Sequence, residues 1–238
     1  MYELESALTQ GLALLGLPAD GGFLSPFRRY YDFLSNRNAV MDLTAILGEA
    51  DVARLHFLDS LFMIELSALK SKRVIDVGSG AGFPGLPLKL AVRSMRLTLL
   101  DAQEKRVKFL TELCGLLGLD DVSTIHARAE EASKLETFRE YFDVALSRAV
   151  AEFNVLSELC LPFVALGGIF VAMKAVNSDD EIASARSAIE TLGGEIERIR
   201  DYNIPGTDIW HRTVIVRKTD ATPPIYPRRY AKIRKSPL

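Results

Sequence analysis

The chain has 238 residues, of which 48% are hydrophobic and 25% are charged, a globular composition that excludes an intrinsically disordered chain and a collagen-like fibre. Its 29 basic and 31 acidic residues give a net charge of −2, and this sum by itself gives no sign of a nucleic-acid partner. Two cysteines, Cys114 and Cys160, are too few for a zinc knuckle or a disulfide framework.

The opening sequence MYELESALTQ lacks the basic stretch of a signal peptide. The longest uncharged stretch, residues 159–173, is shorter than the roughly 20 residues of a membrane-spanning helix. We therefore expect a soluble cytoplasmic protein with no membrane partner.

Residues 1–70 are predicted to be helical. Ser25 followed by Pro26 is typical of a helix start, and the aromatic residues that follow share one helical face. A second amphipathic helix is predicted over residues 49–69, where leucines and phenylalanines recur at helical spacing.

From residue 72 onward, short apolar strands alternate with helical segments, which favours an α/β fold with a parallel sheet covered on both faces. The last two strands have no helix between them, so we expect them to form an antiparallel pair at one edge. Strands are predicted at residues 73–78, 96–102, 122–127, 142–147, 168–174, 195–202 and 213–217, and helices at 86–92, 104–117 and 179–192. The predicted parts are an N-terminal helical extension (1–70), a Rossmann-like domain (71–218) and a basic, extended C-terminal arm (219–238).

The strongest functional signal is the glycine-rich segment from Asp76 to Gly85, directly after the first strand. Glycines such as Gly78, Gly80 and Gly82 let the backbone turn sharply and approach a ligand, and the next helix directs N–H groups toward it. This pattern predicts a cofactor site at the carboxyl edge of the first strand, with a ligand-free turn as the alternative.

Acidic residues follow the next two strands. Asp101 ends the second strand, where a carboxylate can accept hydrogen bonds from both ribose hydroxyls of an adenosyl cofactor, or can cap the next helix. Ala129 and Glu130 follow the third strand, where an adenine would lie, although Glu130 can equally be a solvated charge at a helix start.

Two cofactors fit these residues. The spacing of Gly80, Gly82 and Gly85 matches the dinucleotide fingerprint, but a long segment precedes it and the chain has no Tyr-x-x-x-Lys pair for hydride chemistry. The alternative, S-adenosylmethionine, carries an ammonium group, which an acidic residue such as Asp76 can bind. The residues alone leave open an NAD-type enzyme, a small-molecule methyltransferase and an RNA methyltransferase.

Five segments together resemble a known family: HFLDSL, IDVGSGAGFPGLPLKL, LLDAQEKRVKFL, HARAEE and LSRAV. They closely resemble the bacterial small-subunit (16S) ribosomal RNA guanine-N7 methyltransferases (RsmG, or glucose-inhibited division protein B), over about residues 25–238. The resemblance implies a class I S-adenosylmethionine-dependent methyltransferase fold, with a seven-stranded, mostly parallel sheet and an antiparallel final strand. It also implies S-adenosyl-L-methionine as the methyl donor, S-adenosyl-L-homocysteine as the product, and 16S rRNA or the small ribosomal subunit as the partner. Cofactor contacts are then expected at Gly78, Phe83, Asp101, Ala102, Gln103, Ala129, Glu130 and Arg148.

The motifs that are missing agree with methylation at guanine N7. The position after the fourth strand has no Asn-Pro-Pro-Tyr motif, the usual clamp for an exocyclic amine, and no Pro-Cys nucleophile is present for cytosine C5. Guanine N7 carries an in-plane lone pair and no proton, so the enzyme has to position the base rather than deprotonate it. We expect no essential general base.

Arg148 is the candidate catalytic residue, because it ends the fourth strand and its planar fork can hold a phosphate, a carboxylate or the O6 edge of guanine. The alternative for Arg148 is a structural ion pair with Asp76 or Glu152. His56 and Asp59 share one helix face, where they can contact RNA or the cofactor, although a packing hydrogen bond is favoured for Asp59.

Basic residues supply the candidate RNA contacts. The alternative is solvated surface charge for Lys105, Arg106 and Lys174, a packing hydrogen bond for His56, and a flexible solubilising end for the tail. Residues 219–238 carry five basic residues and one acidic residue with an interleaved tyrosine, a pattern that suits an RNA-contacting arm. The candidates are His56, Lys105, Arg106, Lys174, Arg228, Arg229, Arg234 and Lys235. A non-catalytic ribosome-assembly module is the remaining alternative, and we expect a monomer that needs no metal ion.

Overall fold

The computed structural model describes residues 2–148 and 151–238 of the chain. Its N-terminal part is helical, as predicted, but the helices have different bounds. These elements are α1 (Glu3–Leu14), α2 (Gly21–Met41), α3 (Glu49–Val52), a π-helix (Ala53–Leu58), α4 (Asp59–Phe62) and a 3-10 helix (Leu66–Leu69).

Helix α2 begins before the predicted Ser25–Pro26 start. The side chain of Asp20 caps it by accepting a hydrogen bond from the N–H of Phe23 at 3.0 Å. Aspartate caps a helix as well as serine does, so the earlier cap sets the start and Pro26 lies inside the helix.

The predicted helix over residues 49–69 is interrupted by the π-helix and ends at Phe62. Two backbone carbonyls in this stretch accept hydrogen bonds from side chains: Arg148 donates to the carbonyl of Leu55, and Ser60 donates to the carbonyl of His56. Such insertions disturb the regular hydrogen-bond ladder, and π-turns often occur at functional sites.

The seven predicted strands are all present in one sheet with the order β3-β2-β1-β4-β5-β7-β6. Strands β1 to β5 run parallel, and β7 pairs antiparallel with both β5 and β6, which confirms the predicted fold class. Their bounds are β1 (Arg73–Val77), β2 (Arg96–Asp101), β3 (Val122–His126), β4 (Phe142–Arg148), β5 (Val164–Ala175), β6 (Gly194–Asn203) and β7 (Trp210–Lys218).

Helices cover both faces of the sheet. They are α5 (Gly85–Ala91), α6 (Glu104–Leu117), α7 (Ala129–Ala132), α8 (Phe153–Cys160), a 3-10 helix (Leu161–Phe163), α9 (Asp179–Thr191) and α10 (Tyr230–Lys235). The N-terminal helices share one hydrophobic cluster with α5, α6 and one sheet face, whereas α8, α9 and α10 pack on the other face. The division at residues 70 and 218 stays a prediction.

Residues 219–238 do not form the extended arm that the sequence predicts. Ile233 is fully buried, and Arg228 donates hydrogen bonds to Glu158, a carboxylate that is itself fully buried. A buried carboxylate needs a charged or hydrogen-bonding partner, so this pair fixes the segment to α8, and α10 packs against the same helix. Within the described residues, no helix combines the length and apolar character needed to cross a membrane.

Candidate functional site

The glycine-rich loop between β1 and α5 contains two glycines with different roles. Both have a positive φ, +58° at Gly80 and +101° at Gly82, which favours glycine. A Cβ at Gly80 would meet only open space beyond the Gly78 carbonyl, whereas a Cβ at Gly82 would lie 2.5 Å from the hydroxyl of Tyr30. Gly80 therefore leaves room for a ligand, and Gly82 leaves room for the tyrosine.

A cavity of about 540 Å³ opens at the carboxyl edge of the sheet, above this loop. Its walls come from the ends of β1 to β4, from the π-helix, α8 and α10, and from the segment before α3. It contains nine of the eleven residues predicted to bind the cofactor: Gly78, Gly80, Phe83, Asp101, Ala102, Gln103, Ala129, Glu130 and Arg148. It also contains residues that are not among the predicted site residues: Leu43, Thr44, Ser79, Arg128, Leu156, Leu159 and Tyr230.

Asp76 and Gly82 do not line the cavity. Asp76 lies behind the loop with no exposed surface, and its Oδ2 accepts the N–H of Gly85 at 2.9 Å. Burial raises the pKa of Asp76 to about 7, and its Oδ1 has no hydrogen-bond partner among the described residues. Asp76 thus contacts the glycine loop where α5 begins, and its predicted contact with the cofactor stays a prediction.

Asp101 is held in place by two backbone groups. Its Oδ2 accepts the N–H of Gly80 at 2.9 Å and its Oδ1 accepts the N–H of Gln103 at 2.8 Å. Each carboxylate oxygen retains a lone pair, so the group can still accept hydrogen bonds from a ligand in the cavity. The geometry fits the predicted contact with a ribose diol.

Arg148 closes the other end of the cavity. Its Nη1 donates to the Leu55 carbonyl at 3.2 Å and to Oδ2 of Asp59 at 3.3 Å, and its Nη2 contacts Nδ1 of His56 at 2.8 Å. The ion pair predicted as the alternative role of Arg148 is therefore formed with Asp59 rather than with Asp76 or Glu152. Three of the five guanidinium N–H donors are used, which leaves two without a partner in a residue that lines the cavity.

His56 is neutral in this arrangement. Burial, with the charge of Arg148 as a second cause, lowers the pKa of His56 to about 3. Arginine only donates, so Nδ1 of His56 accepts, and the proton lies on Nε2, where it donates to the hydroxyl of Thr44 at 2.8 Å. The ring stacks on Phe83 with 4.3 Å between centroids, so His56 forms part of the cavity wall.

Asp59 joins three parts of the fold. Besides Arg148 on β4, it accepts hydrogen bonds at 2.8 Å from the hydroxyl of Tyr202 on β6 and, also at 2.8 Å, from Nδ1 of His211 on β7. The side chain is almost fully buried, so these partners satisfy its charge. The packing role that the sequence favoured for Asp59 extends to the orientation of Arg148.

The predicted RNA contacts divide into two groups. Lys174 donates to Glu181 at 2.5 Å and to the carbonyl of Ala151, and Arg228 is paired with Glu158, so both are held inside the fold. Lys105 is exposed, and Arg106 lines the cavity near Asp101.

A second, basic groove adjoins the cavity. It is lined by Arg128, Glu130, Glu131, Lys134, Arg229, Tyr230, Ala231, Arg234 and Lys235, so it brings together three of the predicted RNA contacts. The guanidinium of Arg128 lies 5.9 Å from the ring centre of Tyr230, and both residues also line the cavity. The sequence contains a sign that each of the two belongs to the site. Arg128 directly precedes the predicted cofactor residue Ala129, and Tyr230 is the tyrosine within the basic tail.

Comparison with known proteins points to one family. A family model described as rRNA small subunit methyltransferase G matches residues 24–207. Two proteins named ribosomal RNA small subunit methyltransferase G are similar over nearly their whole length. The one from Acetivibrio thermocellus is 42% identical over 99% of this chain and 97% of its own, and the one from Caldanaerobacter subterraneus is 44% identical over 97% of each. A solved structure of M. jannaschii TYW2 in complex with AdoMet is 16% identical, with a TM-score of 0.50 over 66% of this chain and 73% of that chain, and it supports the fold alone.

Proposed function

The chain belongs to the rRNA small subunit methyltransferase G family of S-adenosylmethionine-dependent enzymes, and on that premise we propose that it transfers a methyl group to N7 of a guanine in 16S rRNA. The family disfavours the alternatives of an NAD-type enzyme, a small-molecule methyltransferase and a non-catalytic assembly protein. Methylation at N7 is supported by the hydrogen bonds that the polar groups around Arg148 already make. His56 and Asp59 are both engaged there, so neither is available as a base.

The cavity fits S-adenosylmethionine. We propose that the Asp101 carboxylate contacts the ribose hydroxyls, Ala129 and Glu130 the adenine, and the backbone around Gly78 and Gly80 the methionine part, because all of them line this cavity. Leu156 and Leu159 supply an apolar wall for the adenosyl group. When bound, the cofactor supplies a methyl carbon that already carries a sulfonium leaving group, so the proposed transfer needs no metal ion.

Arg148 is proposed to orient the guanine. One of its remaining N–H donors can hold O6 of the base, which lies next to N7 in the same plane, and this contact leaves the N7 lone pair free. Holding that edge directs the in-plane lone pair and lowers the entropic part of the barrier.

Asp59 balances the charge of Arg148 at 3.3 Å. Methyl transfer from a sulfonium places positive charge on the purine, and an unbalanced guanidinium would oppose it. The Arg148–Asp59 pair therefore acts as an oriented hydrogen-bond donor with little net charge.

The target guanine has to leave its stack to reach the cavity, because the reacting atom must approach the methyl carbon directly. We propose that the exposed cations of the basic groove, Arg229, Arg234 and Lys235, hold the RNA backbone during this step. We propose that the protein acts as a monomer. The substrate implies that the protein works in the cytoplasm, where the ribosomal subunits are.

The experiment that tests this function has two arms. Calorimetry with S-adenosylmethionine and with NAD is expected to show binding of the first only. Incubation with labelled S-adenosylmethionine and 16S rRNA, either naked or in small subunits from cells that lack the enzyme, is expected to label the RNA. Binding of NAD alone, or unlabelled RNA on both substrates, would contradict the proposal.

A further inference from the structure

Tyr230, the first residue of α10, lies where the cavity meets the basic groove. Arg128, Glu130 and Tyr230 line both spaces. The guanidinium of Arg128 lies over the ring of Tyr230, 5.9 Å from its centre, so the two side chains are neighbours. The tail is predicted to contact RNA, but its tyrosine also forms part of the cavity wall.

The neighbours of Tyr230 place it at one end of the cavity. Arg128 directly precedes Ala129, and Ala129 and Tyr230 both pack against the hydrophobic cluster that contains Leu156 and Leu159 of α8. This end follows β3, which lies at the edge of the sheet and is separated by β2 and β1 from the strand of Arg148. Tyr230 therefore lies at the end where the adenine is expected, away from the proposed site of the target base.

The ring of Tyr230 suits a purine. It is only partly buried, so part of its surface is open to a ligand in the cavity. Ala129 and Glu130 offer backbone groups and a carboxylate, which can meet the polar edge of an adenine but give it no flat surface. An aromatic ring supplies that surface, since aromatic rings pack well in offset or edge-to-face arrangements.

Helix α10 has little buried surface of its own. It has six residues, of which Ile233 is fully buried. A helix this short is not stable by itself, so its order depends on its contacts with the rest of the fold. A ligand that packs against Tyr230, or one that binds the exposed cations of the helix, would add to those contacts. The exposed residues are Ala231, Lys232, Arg234 and Lys235.

We propose that Tyr230 is a cofactor-binding residue that packs against the adenine of S-adenosylmethionine, and that α10 couples this contact to RNA binding by Arg234 and Lys235. This inference rests on the proposed function. A helix that one ligand has ordered costs less to order for the other, so each ligand raises the affinity for the other. By linkage the two effects are equal. The coupling favours the complex that contains both substrates.

Calorimetry with S-adenosyl-L-homocysteine tests the adenine contact in the full-length protein. Tyr230→Ala is expected to raise the Kd by roughly 5- to 100-fold, the range for one base on an aromatic side chain. Tyr230→Phe keeps the ring and should retain most of the affinity. Ile225→Ala, which changes an exposed apolar residue of the same segment outside both spaces, is the control. A Kd that is equal in Tyr230→Ala and the control would overturn the proposal.

The coupling is measured with the same ligand and a 16S rRNA transcript, with each protein saturated with RNA. The sulfur of S-adenosyl-L-homocysteine carries no charge, so direct attraction between a sulfonium and RNA does not contribute. RNA is expected to lower the Kd of the wild-type protein by about 5-fold or more. A Kd that RNA leaves unchanged would overturn the coupling.

Variants of α10 show whether the helix carries this effect. The double variant Arg234→Gln and Lys235→Gln should lose it. Lys232→Gln, which removes a cation of the same helix outside the groove, should keep it. If the double variant behaves like Lys232→Gln, α10 does not couple the two ligands.

Failure of this inference differs from failure of the proposed function. If the wild-type protein methylates RNA and Tyr230→Ala raises only the KM for RNA, Tyr230 is an RNA contact and the inference is wrong. If the wild-type protein binds S-adenosyl-L-homocysteine through the ring of Tyr230 but leaves RNA unmethylated, the proposed function is wrong and the adenine contact stands.

Discussion

Arg148 donates a hydrogen bond from Nη2 to Nδ1 of His56 across 2.8 Å. This contact uses the free lone pair of a neutral imidazole, so His56 can neither accept a proton from a substrate nor carry a charge near neutral pH. The two residues form a fixed wall in which only Arg148 has free donors. The site is therefore built to position a base that already has an available lone pair.

The balance of charge between Asp59 and Arg148 predicts a positioning role for Asp59. Asp59→Asn keeps the shape but leaves the guanidinium uncompensated, so we expect kcat to fall by roughly 100-fold, as for other preorganised polar groups. The KM for S-adenosylmethionine should change little, because Asp59 does not line the cavity. Asp51→Asn, an exposed carboxylate on α3, is the control. A fall in kcat of this size, in an Asp59→Asn protein that circular dichroism shows to be folded, supports the role. An unchanged kcat would refute it.

The buried carboxyl of Asp76 predicts a dependence of stability on pH. Its pKa is raised to about 7, so between its ordinary range and pH 7 the folded protein holds a proton that the unfolded chain has released. The free energy of unfolding should therefore fall as the pH rises from about 4 to 7 and then level off. The loss is at most about 4 kcal/mol, taking 1.36 kcal/mol per pH unit.

Asp76→Asn removes this titration. Denaturant unfolding of both proteins across that pH range isolates the effect of Asp76, because the opposite contribution of His56, whose pKa is lowered, is the same in both. The difference in unfolding free energy between variant and wild type should grow with pH. A difference that stays constant would show that Asp76 is not protonated in the folded protein.

The sequence could predict the elements whose signals are local. The end of α6 at Gly118 and the order of strands and helices follow from periodicity and turn residues within a few positions. The site residues that follow β1, β2 and β3 could be predicted for the same reason, because parallel strands bring their carboxyl ends to one edge.

What could not be predicted depends on partners far away in the chain. Gly80 and Gly82 cannot be told apart in the sequence, because they differ in a distant neighbour: the side chain of Tyr30, on α2, lies against Gly82 and not against Gly80. Lys174 and Arg228 were predicted to contact RNA, but the fold pairs them with Glu181 and Glu158, respectively. A single sequence gives the charges but not their pairing.

The contact of Gly82 with Tyr30 predicts a steric effect on stability. Gly82→Ala places a methyl group 2.5 Å from the tyrosine hydroxyl and 2.6 Å from Cδ1 of Leu86, so we expect a loss of about 1–3 kcal/mol from overpacking. Thermal unfolding of the purified proteins measures it. Gly16→Ala is the control for the backbone, since Gly16 also has a positive φ but open space around it.

A second substitution makes the explanation specific. Tyr30→Phe removes the hydroxyl, together with its hydrogen bond to the Ala81 carbonyl, and should cost about 1 kcal/mol alone. In the double variant, the total loss should be smaller than the sum of the single losses, because the methyl group no longer meets an oxygen. Strictly additive losses would mean that the contact is not the cause.

The basic groove predicts the salt dependence of RNA binding. Replacing Arg229, Arg234 and Lys235 by glutamine removes three exposed cations. The negative slope of log affinity against log salt should therefore become shallower by about 2, since each phosphate contact on single-stranded RNA contributes roughly 0.7. Arg228→Gln is the matched control, because its partner Glu158 is buried and the change should lower stability rather than the slope. An unaltered slope in the triple variant would place the RNA elsewhere.

The position of the new methyl group tests the central claim most directly. Small-subunit rRNA methylated by the protein with labelled S-adenosylmethionine can be digested to nucleosides, and the labelled nucleoside can be identified by mass and by chromatography against standards. We predict that the label is found in 7-methylguanosine alone. Label in an N-methylated exocyclic amine or in 5-methylcytidine would contradict a site that positions a base without deprotonating it.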